Sequence, residues 1–137
     1  MSAVRPFVDT NVVLYLLSSD VAKADRAEEI LSAGAVVSVQ VLNEAIHVMR
    51  GKWQMPWEEV REVLDRLTDV CEITPLSVEI QRGAVDIAQR TGIGIYDANI
   101  VSAAIDGGST ILFSEDLSDG QRFEKVRVTN PFKAVAK

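Results

Sequence analysis

Cysteine and histidine are nearly missing from this chain of 137 residues, and their scarcity excludes several kinds of site. Cys71 is the only cysteine, so the chain can form no internal disulfide and no cysteine-rich zinc site. His47 is the only histidine, which excludes metal sites built from several histidines; a Ser-His-Asp triad would have to use it. Reactive chemistry therefore depends mainly on other side chains.

Long apolar runs are also missing. The N-terminal apolar stretch is interrupted by Asp9 and Asn11, and it lacks the continuous apolar core and the small-residue cleavage site of a signal peptide. No stretch approaches the ~20 apolar residues that are needed to span a bilayer. Together with the single cysteine, these features predict a cytoplasmic protein without a membrane segment.

Positive charge is in deficit. The chain has 14 Lys and Arg residues against 20 Asp and Glu residues, a formal net charge of −6. This balance argues against a protein that coats nucleic acid by bulk attraction, but not against nucleic acid bound at one local site. Hydrophobic residues make up 47% of the chain and charged residues 25%, as in a globular protein, and the length predicts a single domain over residues 1–137.

Short apolar segments alternate with amphipathic ones along the chain. Apolar residues, many of them β-branched, predict strands at 4–8, 35–39, 70–74, 110–113 and 126–128. Apolar residues at helical spacing predict helices at 22–32, 41–50, 57–67, 78–90 and 97–106, with Gly51 ending the second of these. This alternation predicts an α/β fold in which helices cover both faces of a mainly parallel sheet. In such folds the functional site lies at the carboxyl ends of the strands.

Four acidic residues are placed to meet at that edge. Asp9 directly follows the first strand, and Glu44 lies in the helix after the second. Asp97 opens a helix, and Asp116 stands three residues beyond the strand at 110–113. Alone, Asp9 and Asp97 could serve only to start their helices. Glu44 alone could be a solvated surface charge, and Asp116 alone could be a turn residue.

Taken together, four carboxylates in one pocket indicate a divalent cation. Like charges at close range raise each other's pKa, and a bound cation removes this conflict. Mg²⁺ and Mn²⁺ bind carboxylate and water oxygens and need no histidine or cysteine. One or two such ions can activate water and neutralise the charge that develops on a phosphoryl group. The sequence therefore favours hydrolysis of a phosphodiester.

The acidic residues lie in three distinctive segments, FVDTNVVLYLL, VLNEAIHVMRGK and GIYDANIVSAAIDGGSTILFSEDLSDG. These segments resemble PIN-domain ribonucleases, and most closely the VapC-type toxins of bacterial toxin–antitoxin pairs, over essentially the whole chain. The resemblance implies a three-layer α/β/α PIN-like (Rossmann-like) fold and a Mg²⁺- or Mn²⁺-dependent endoribonuclease. It also implies an RNA substrate, a cognate antitoxin as partner and a homodimer.

The resemblance also assigns roles to individual residues. Asn11 and Ser114 match small polar residues that, in related proteins, hydrogen-bond the acids or metal-bound water. Asp119 is a further acidic candidate, although a turn role explains it as well. The catalytic and metal-binding acids of the family fall on Asp9, Glu44, Asp97 and Asp116.

Several other residues have two interpretations. His47 follows Glu44 by three residues and shares its helix face, and we interpret it as a packing residue or an RNA contact rather than a metal ligand. The apolar group Met49, Trp53, Met55 and Trp57 is either core packing or a surface that docks a second copy or an antitoxin segment. Candidates for contacts with the RNA backbone are the basic residues Arg50, Lys52, Arg122 and Lys125.

Two alternatives to a nuclease stay open. A PIN-like module without turnover would only bind a partner, and it should gain little stability from Mn²⁺. A receiver-like phosphoacceptor domain is also a small α/β fold with acids at strand ends. That site needs an acidic pair after the first strand and a lysine after the last central strand, where this chain has Asp9-Thr10 and Ser114-Glu115.

Overall fold

The central element of the fold is a six-stranded sheet. A computed structural model of the chain describes residues 5 to 133, and the sheet lies within them. Its strands are β1 (Phe7–Val8), β2 (Val36–Ser38), β3 (Glu72–Thr74), β4 (Ile111–Phe113), β5 (Arg122–Phe123) and β6 (Val126–Thr129). Their order is β3-β2-β1-β4-β6-β5; β5 is antiparallel to β6, and every other neighbouring pair is parallel. The predicted mainly parallel sheet is confirmed.

Helices connect these strands and complete the predicted three-layer α/β/α architecture. Within residues 5 to 133 they are α1 (Thr10–Leu14), α2 (Val21–Ser32), α3 (Val39–His47), α4 (Trp57–Val70), α5 (Val78–Thr91) and α6 (Ile95–Asp106). Four of them begin at a side chain that accepts a hydrogen bond from a first-turn amide: Asp9, Asp20, Ser38 and Ser77. None of the helices in this range is long and apolar enough to cross a bilayer.

The core is built from the apolar residues that predicted the strands. Phe7, Val8, Val37 and Leu112 are fully buried in the three central strands β1, β2 and β4. Both residues of β1 are buried because helices cover the two faces of a parallel sheet. β3 lies at the edge of the sheet and leaves Glu72 exposed. The ends of the central strands are therefore held by a rigid, well-packed interior.

Several local boundaries differ from the predictions, since Val39 and Val70, both predicted in strands, lie in α3 and α4. Gly51 does not end the helix after β2, because α3 ends at His47 and the chain continues through Gly51 in a π-helical turn, Val48–Lys52. β5 was not predicted, since two residues are too few to show a period. Val4, the predicted start of the first strand, lies outside the described residues.

The apolar group around the tryptophans is divided between core and surface. Met49 is fully buried, whereas Trp53 is 41% exposed and Trp57 is 54% exposed. Core packing therefore describes Met49, whereas Trp53 and Trp57 lie at the surface.

Helices α5 and α6 approach each other closely at Gly83. A Cβ atom on Gly83 would lie 2.4 Å from Ser102 Oγ, and the Ser102 hydroxyl donates a hydrogen bond to the Ile80 carbonyl at 2.8 Å. A larger residue at position 83 would have to break this bond or separate the helices. The contact fixes the position of α6, which carries Asp97.

The strand order reverses beside β1. The chain passes from β1 to β2 and β3 on one side, and then returns to place β4 on the other side of β1. In open parallel sheets, ligands bind outside the carboxyl ends of the strands at such a reversal. The crevice between the ends of β1 and β4 is therefore the place to look for a functional site.

Candidate active site

The residues that follow β1 and β4 form the centre of this crevice. Asp9 comes directly after β1, and its backbone N–H donates to the Phe113 carbonyl of β4 at 2.9 Å. Ser114 comes directly after β4, and its backbone N–H donates to the Thr129 carbonyl of β6 at 3.1 Å. These bonds keep the ends of three adjacent strands in register, so Asp9 and Ser114 lie side by side.

Asp9 is a buried carboxylate, 2% exposed, that accepts two hydrogen bonds. The Thr10 N–H donates to Oδ1 at 2.6 Å, and the Ser114 hydroxyl donates to Oδ2 at 2.7 Å. Burial raises the pKa of Asp9 to about 6; these two hydrogen bonds oppose the rise, and the charges of Asp116 and Asp97 add to it. Carboxylates whose pKa values are strongly raised by burial are concentrated at functional sites.

Ser114 connects Asp9 to the loop that carries Asp116. While its proton is donated to Asp9, its hydroxyl oxygen accepts from the backbone N–H groups of Asp116 at 3.2 Å and of Leu117 at 3.3 Å. The side chain is fully buried. One hydroxyl therefore fixes the loop after β4 relative to the carboxylate after β1.

Glu44 reaches the crevice from α3. Ser38, the last residue of β2, caps this helix by accepting from the Val41 N–H at 3.2 Å. The half-buried Glu44 carboxylate accepts from the Gln40 amide at 2.8 Å. Burial raises the pKa of Glu44; the Gln40 bond lowers it, and the charge of Asp97 raises it. The sequence analysis missed this role of Gln40, although its i, i+4 spacing from Glu44 is a signal for such a contact.

Asp97 lies in the first turn of α6 and is half-buried. Burial raises its pKa, and the charge of Asp116 raises it further. No hydrogen bond from another described residue offsets this rise. Asp97 is therefore a charge without a structural partner in the part of the chain that is described.

The four predicted acids are linked by charge, because Asp97 and Asp116 each raise the pKa values of Asp9 and Glu44. The charge of Asp116, an exposed residue, raises the pKa values of Asp9, Glu44 and Asp97. Among residues 5 to 133, however, no three Asp, Glu, His or Cys side chains are already grouped so that they could hold one metal ion. The acids thus form a coupled cluster of charge rather than a closed set of ligands.

A cleft of about 670 Å³ lies against this cluster, with Glu44, Asp116, Asn11 and Thr10 in its wall. The amide oxygen and nitrogen of Asn11 are buried and have no hydrogen-bond partner among the described residues. Thr10 Oγ1 also lacks one, although it lies close enough to Glu44 to lower the pKa of that carboxyl. Unpartnered buried polar atoms cost about 1–3 kcal/mol each, so they favour a ligand. The carboxylate, amide and hydroxyl oxygens in this wall are the kind of ligand that Mg²⁺ and Mn²⁺ prefer.

Glu115, next to Asp116, is anchored away from the acids. The Tyr15 hydroxyl donates to its Oε1 at 2.5 Å, and the Lys23 ammonium lies 3.3 Å from Oε2 and 4.5 Å from the Tyr15 ring centroid. The Tyr15 ring meets the Phe132 ring edge-on, with centroids 4.6 Å apart. This cluster fixes the loop after β4 from its other side. The sequence analysis missed it because Tyr15 and Glu115 are 100 residues apart.

Asp119 does not join the acids. Its carboxylate accepts from the Asn130 N–H at 2.8 Å and from the Lys133 ammonium at 2.9 Å. These bonds, that of Lys133 first, lower its pKa. Asp119 therefore attaches the segment after β6 to the loop after β4.

None of the four basic residues predicted to contact RNA is among the residues that line the cleft. The Arg50 guanidinium lies 4.5 Å from the Trp57 ring centroid and donates to a backbone carbonyl at 2.8 Å. Lys125 lies in the turn before β6, at the edge of the sheet opposite to the acids. Lys52 and Arg122 are exposed.

His47 ends α3 and lines the cleft together with Glu44. Its side chain is exposed, so its interpretation as a packing residue is wrong. The alternative that the sequence left open, a contact with RNA, stays a prediction.

Several solved structures share this fold. A chain in a toxin–antitoxin complex from Klebsiella pneumoniae is 20% identical with a TM-score of 0.70, over 92% of this chain and 97% of that one. VapC20, a sarcin-ricin-loop-cleaving toxin from Mycobacterium tuberculosis, is 20% identical with a TM-score of 0.68, over 89% and 98%. VapBC2 from Rickettsia felis, bound to a promoter DNA fragment, is 20% identical with a TM-score of 0.65, over 90% and 96%. No curated protein sequence matches significantly.

The family is established by the sequence itself. The family model for the PIN domain matches residues 7–127, a range that begins in β1, ends in β6 and contains all four acids. This match confirms the resemblance and excludes the receiver-like alternative. With the acid-lined crevice at the reversal of strand order, it shows that the chain belongs to the PIN domain family.

Proposed function

We propose that this protein is an endoribonuclease that depends on Mg²⁺ or Mn²⁺ and hydrolyses RNA phosphodiester bonds. The observation that carries the proposal is the cluster of four coupled carboxylates beside one cleft. Burial and repulsion between these carboxylates lower the stability of the metal-free fold, and carboxylates with pKa values shifted in this way are concentrated at functional sites. The likeness to a toxin that cleaves the sarcin-ricin loop supports RNA as the substrate.

The four acids share one task in this proposal. Together they would hold one or two ions, which supply the positive charge that activates water and stabilises the scissile phosphate as it reacts. Burial of Asp9 favours cation binding because a cation replaces the lost solvation of the carboxylate. Ser114 keeps Asp9 in one orientation, and Asn11 offers a buried donor and acceptor to whatever enters the cleft. The ligands are Asp9, Glu44, Asp97 and Asp116.

Cleavage of RNA by the full chain should require a divalent cation. We expect fragments from a structured RNA in Mn²⁺ or Mg²⁺, none in excess EDTA, and recovery when Mn²⁺ is restored, since four negative charges otherwise repel the phosphate. Gel analysis of a labelled RNA measures this result. Cleavage that persists in EDTA would contradict the proposal. Absence of cleavage, with no rise in unfolding temperature in Mn²⁺, would instead favour a module that only binds a partner.

Replacing Ser114 with alanine should move the acid limb of the pH–rate profile upward by about one to two pH units. The change removes the hydrogen bond that lowers the pKa of Asp9, and bonds to charged groups contribute about 1.5–3 kcal/mol. Initial rates between pH 5 and 8 measure the shift. Ser118→Ala, in an exposed position of the same loop, is the matched control and should leave the profile in place.

The same proposal extends to partners and setting. The solved relatives include toxin–antitoxin complexes, which supports a toxin that is held inactive by a cognate antitoxin. We further propose that this toxin is a single domain over residues 1–137 and acts in the cytoplasm as a homodimer. A short reading frame directly upstream of the coding sequence would encode that antitoxin. If its product neither binds this chain nor reduces RNA cleavage, the toxin assignment is wrong, and the nuclease assignment is unaffected.

A further inference from the structure

The cleft carries an aromatic side chain that the acid cluster does not use. Tyr96 precedes Asp97 in the first turn of α6, is 68% exposed and lines the cleft. Its ring makes none of the aromatic or cation–π contacts formed between residues 5 and 133. An exposed aromatic face beside a functional cleft is a surface on which a planar ligand can stack.

Another part of the cleft wall is a row of polar side chains on α3. Gln40, Asn43 and His47 follow at spacings of three and four residues, so they share one face of the helix, and all three line the cleft. The Gln40 amide already donates to Glu44. Asn43 and His47 are exposed and carry donors and acceptors in the plane of their groups, as the edge of a nucleobase does.

Charge decides which part of a nucleotide can occupy each region of the cleft. A phosphate is repelled by Glu44 and Asp116 except where cations neutralise them, whereas a base is neutral. Tyr96 presents an aromatic ring, and Gln40 and Asn43 carry amides, so this part of the wall has no carboxylate that would repel the ligand. The volume of about 670 Å³ lies within the ~300–1,000 Å³ range of small-ligand sites.

We infer that Tyr96 and the α3 row form a nucleobase subsite, in which one unpaired base of the RNA stacks on the Tyr96 ring while its edge faces Asn43 and His47. This inference rests on the proposed nuclease function and specifies how the same cleft positions its substrate. It requires a base whose face is free. Bases inside a duplex have both faces covered by their neighbours, so the subsite selects unstacked nucleotides.

Binding of a single-stranded RNA that contains 2-aminopurine tests the subsite directly. The measurements are made with Mn²⁺ in the Asp9→Asn background, which keeps the RNA intact, and fluorescence reports both affinity and stacking. Tyr96→Ala should weaken binding about 5- to 150-fold and abolish the quenching of 2-aminopurine, because base–aromatic stacking is lost. Tyr96→Phe keeps the ring and should stay within about twofold of the parent. Ile95→Ala, at the neighbouring exposed position, is the matched control.

The outcomes separate this inference from the nuclease proposal. If the unmodified chain cleaves RNA but Tyr96→Ala binds and quenches like its parent, the subsite is wrong and the nuclease stands. Equal losses in Tyr96→Phe and Tyr96→Ala would also overturn it, since they would assign the effect to the hydroxyl. A change only in sedimentation coefficient would show that Tyr96 serves contact between copies. If no form binds or cleaves RNA, both proposals fail.

Discussion

Replacing Asp97 with asparagine is expected to reduce the Mn²⁺-dependent rate of RNA cleavage by a factor on the order of 10²–10⁴. Charge stabilisation by a bound metal contributes several kcal/mol to a transition state, and each ~1.36 kcal/mol is a factor of ten in rate. The asparagine side chain would keep nearly the same shape but lose the charge that holds the cation. Single-turnover cleavage of an end-labelled RNA at saturating Mn²⁺ measures the loss.

The fold should survive this substitution. Asp97 has no described hydrogen-bond partner, and its charge is opposed by burial and by Asp116. Removing the charge therefore relieves repulsion, which offsets the loss of a favourable acid at the start of α6. We expect the unfolding temperature in EDTA to stay within a few degrees of that of the unmodified chain.

Asp106→Asn is the matched control for Asp97. Asp106 is exposed at the opposite end of the same helix, so it undergoes the same chemical change away from the cleft. Its RNA cleavage should equal that of the unmodified chain. A folded Asp97→Asn variant that cleaves at the control rate would remove Asp97 from the proposed site.

The meeting of the four acids could be predicted because an α/β topology converts chain order into position. Residues directly after parallel strands meet at one edge of the sheet, so the places of Asp9 and Asp116 follow from two short apolar runs. Helix α3 is capped by Ser38 and has a regular period, which places Glu44 on the side that faces the crevice. Local patterns of this kind are readable from one sequence.

Contacts between distant segments leave no such pattern. The partners of Glu115 lie 92 and 100 residues away, and nothing near Glu115 distinguishes it from Asp116 as a candidate ligand. The contact of Arg50 with RNA stays a prediction, and the packing of its guanidinium on Trp57 could not be read from the sequence. Exposure of Tyr96 likewise depends on how α6 is held against α5, which only the packing reveals.

In EDTA, the free energy of unfolding should fall as the pH rises from about 4 to about 6. Asp9 has a pKa of about 6 in the folded protein and an ordinary value of 3.8. Between these values the unfolded chain releases the proton while the folded chain keeps it, so each increase in pH favours unfolding. The difference between these two pKa values corresponds to a loss of about 3 kcal/mol in the free energy of unfolding, and this loss is complete above pH 6. The raised pKa values of Glu44 and Asp97 act in the same direction.

Asp9→Asn should remove the largest part of this fall. Asparagine cannot titrate, so the free energy of unfolding should depend less on pH, whatever its absolute value. The absolute value is a poor readout, because Asn has only one side-chain oxygen to accept from both Thr10 and Ser114. Urea unfolding between pH 4 and 8 at constant ionic strength gives the slope, with Asp106→Asn as control. A slope unchanged by Asp9→Asn would show that Asp9 is not the titrating group.

Mn²⁺ should stabilise the unmodified chain more than Asp9→Asn, which keeps only three of the four acids. A cation binds the ionised carboxylates and competes with protons, so its stabilising effect should grow as pH rises through 6. At a concentration 100 times the dissociation constant, binding adds about 2.7 kcal/mol, close to the loss attributed to Asp9. The charge that destabilises the metal-free fold would then be the charge that binds the metal. Equal stabilisation of both proteins by Mn²⁺ would place the cation elsewhere.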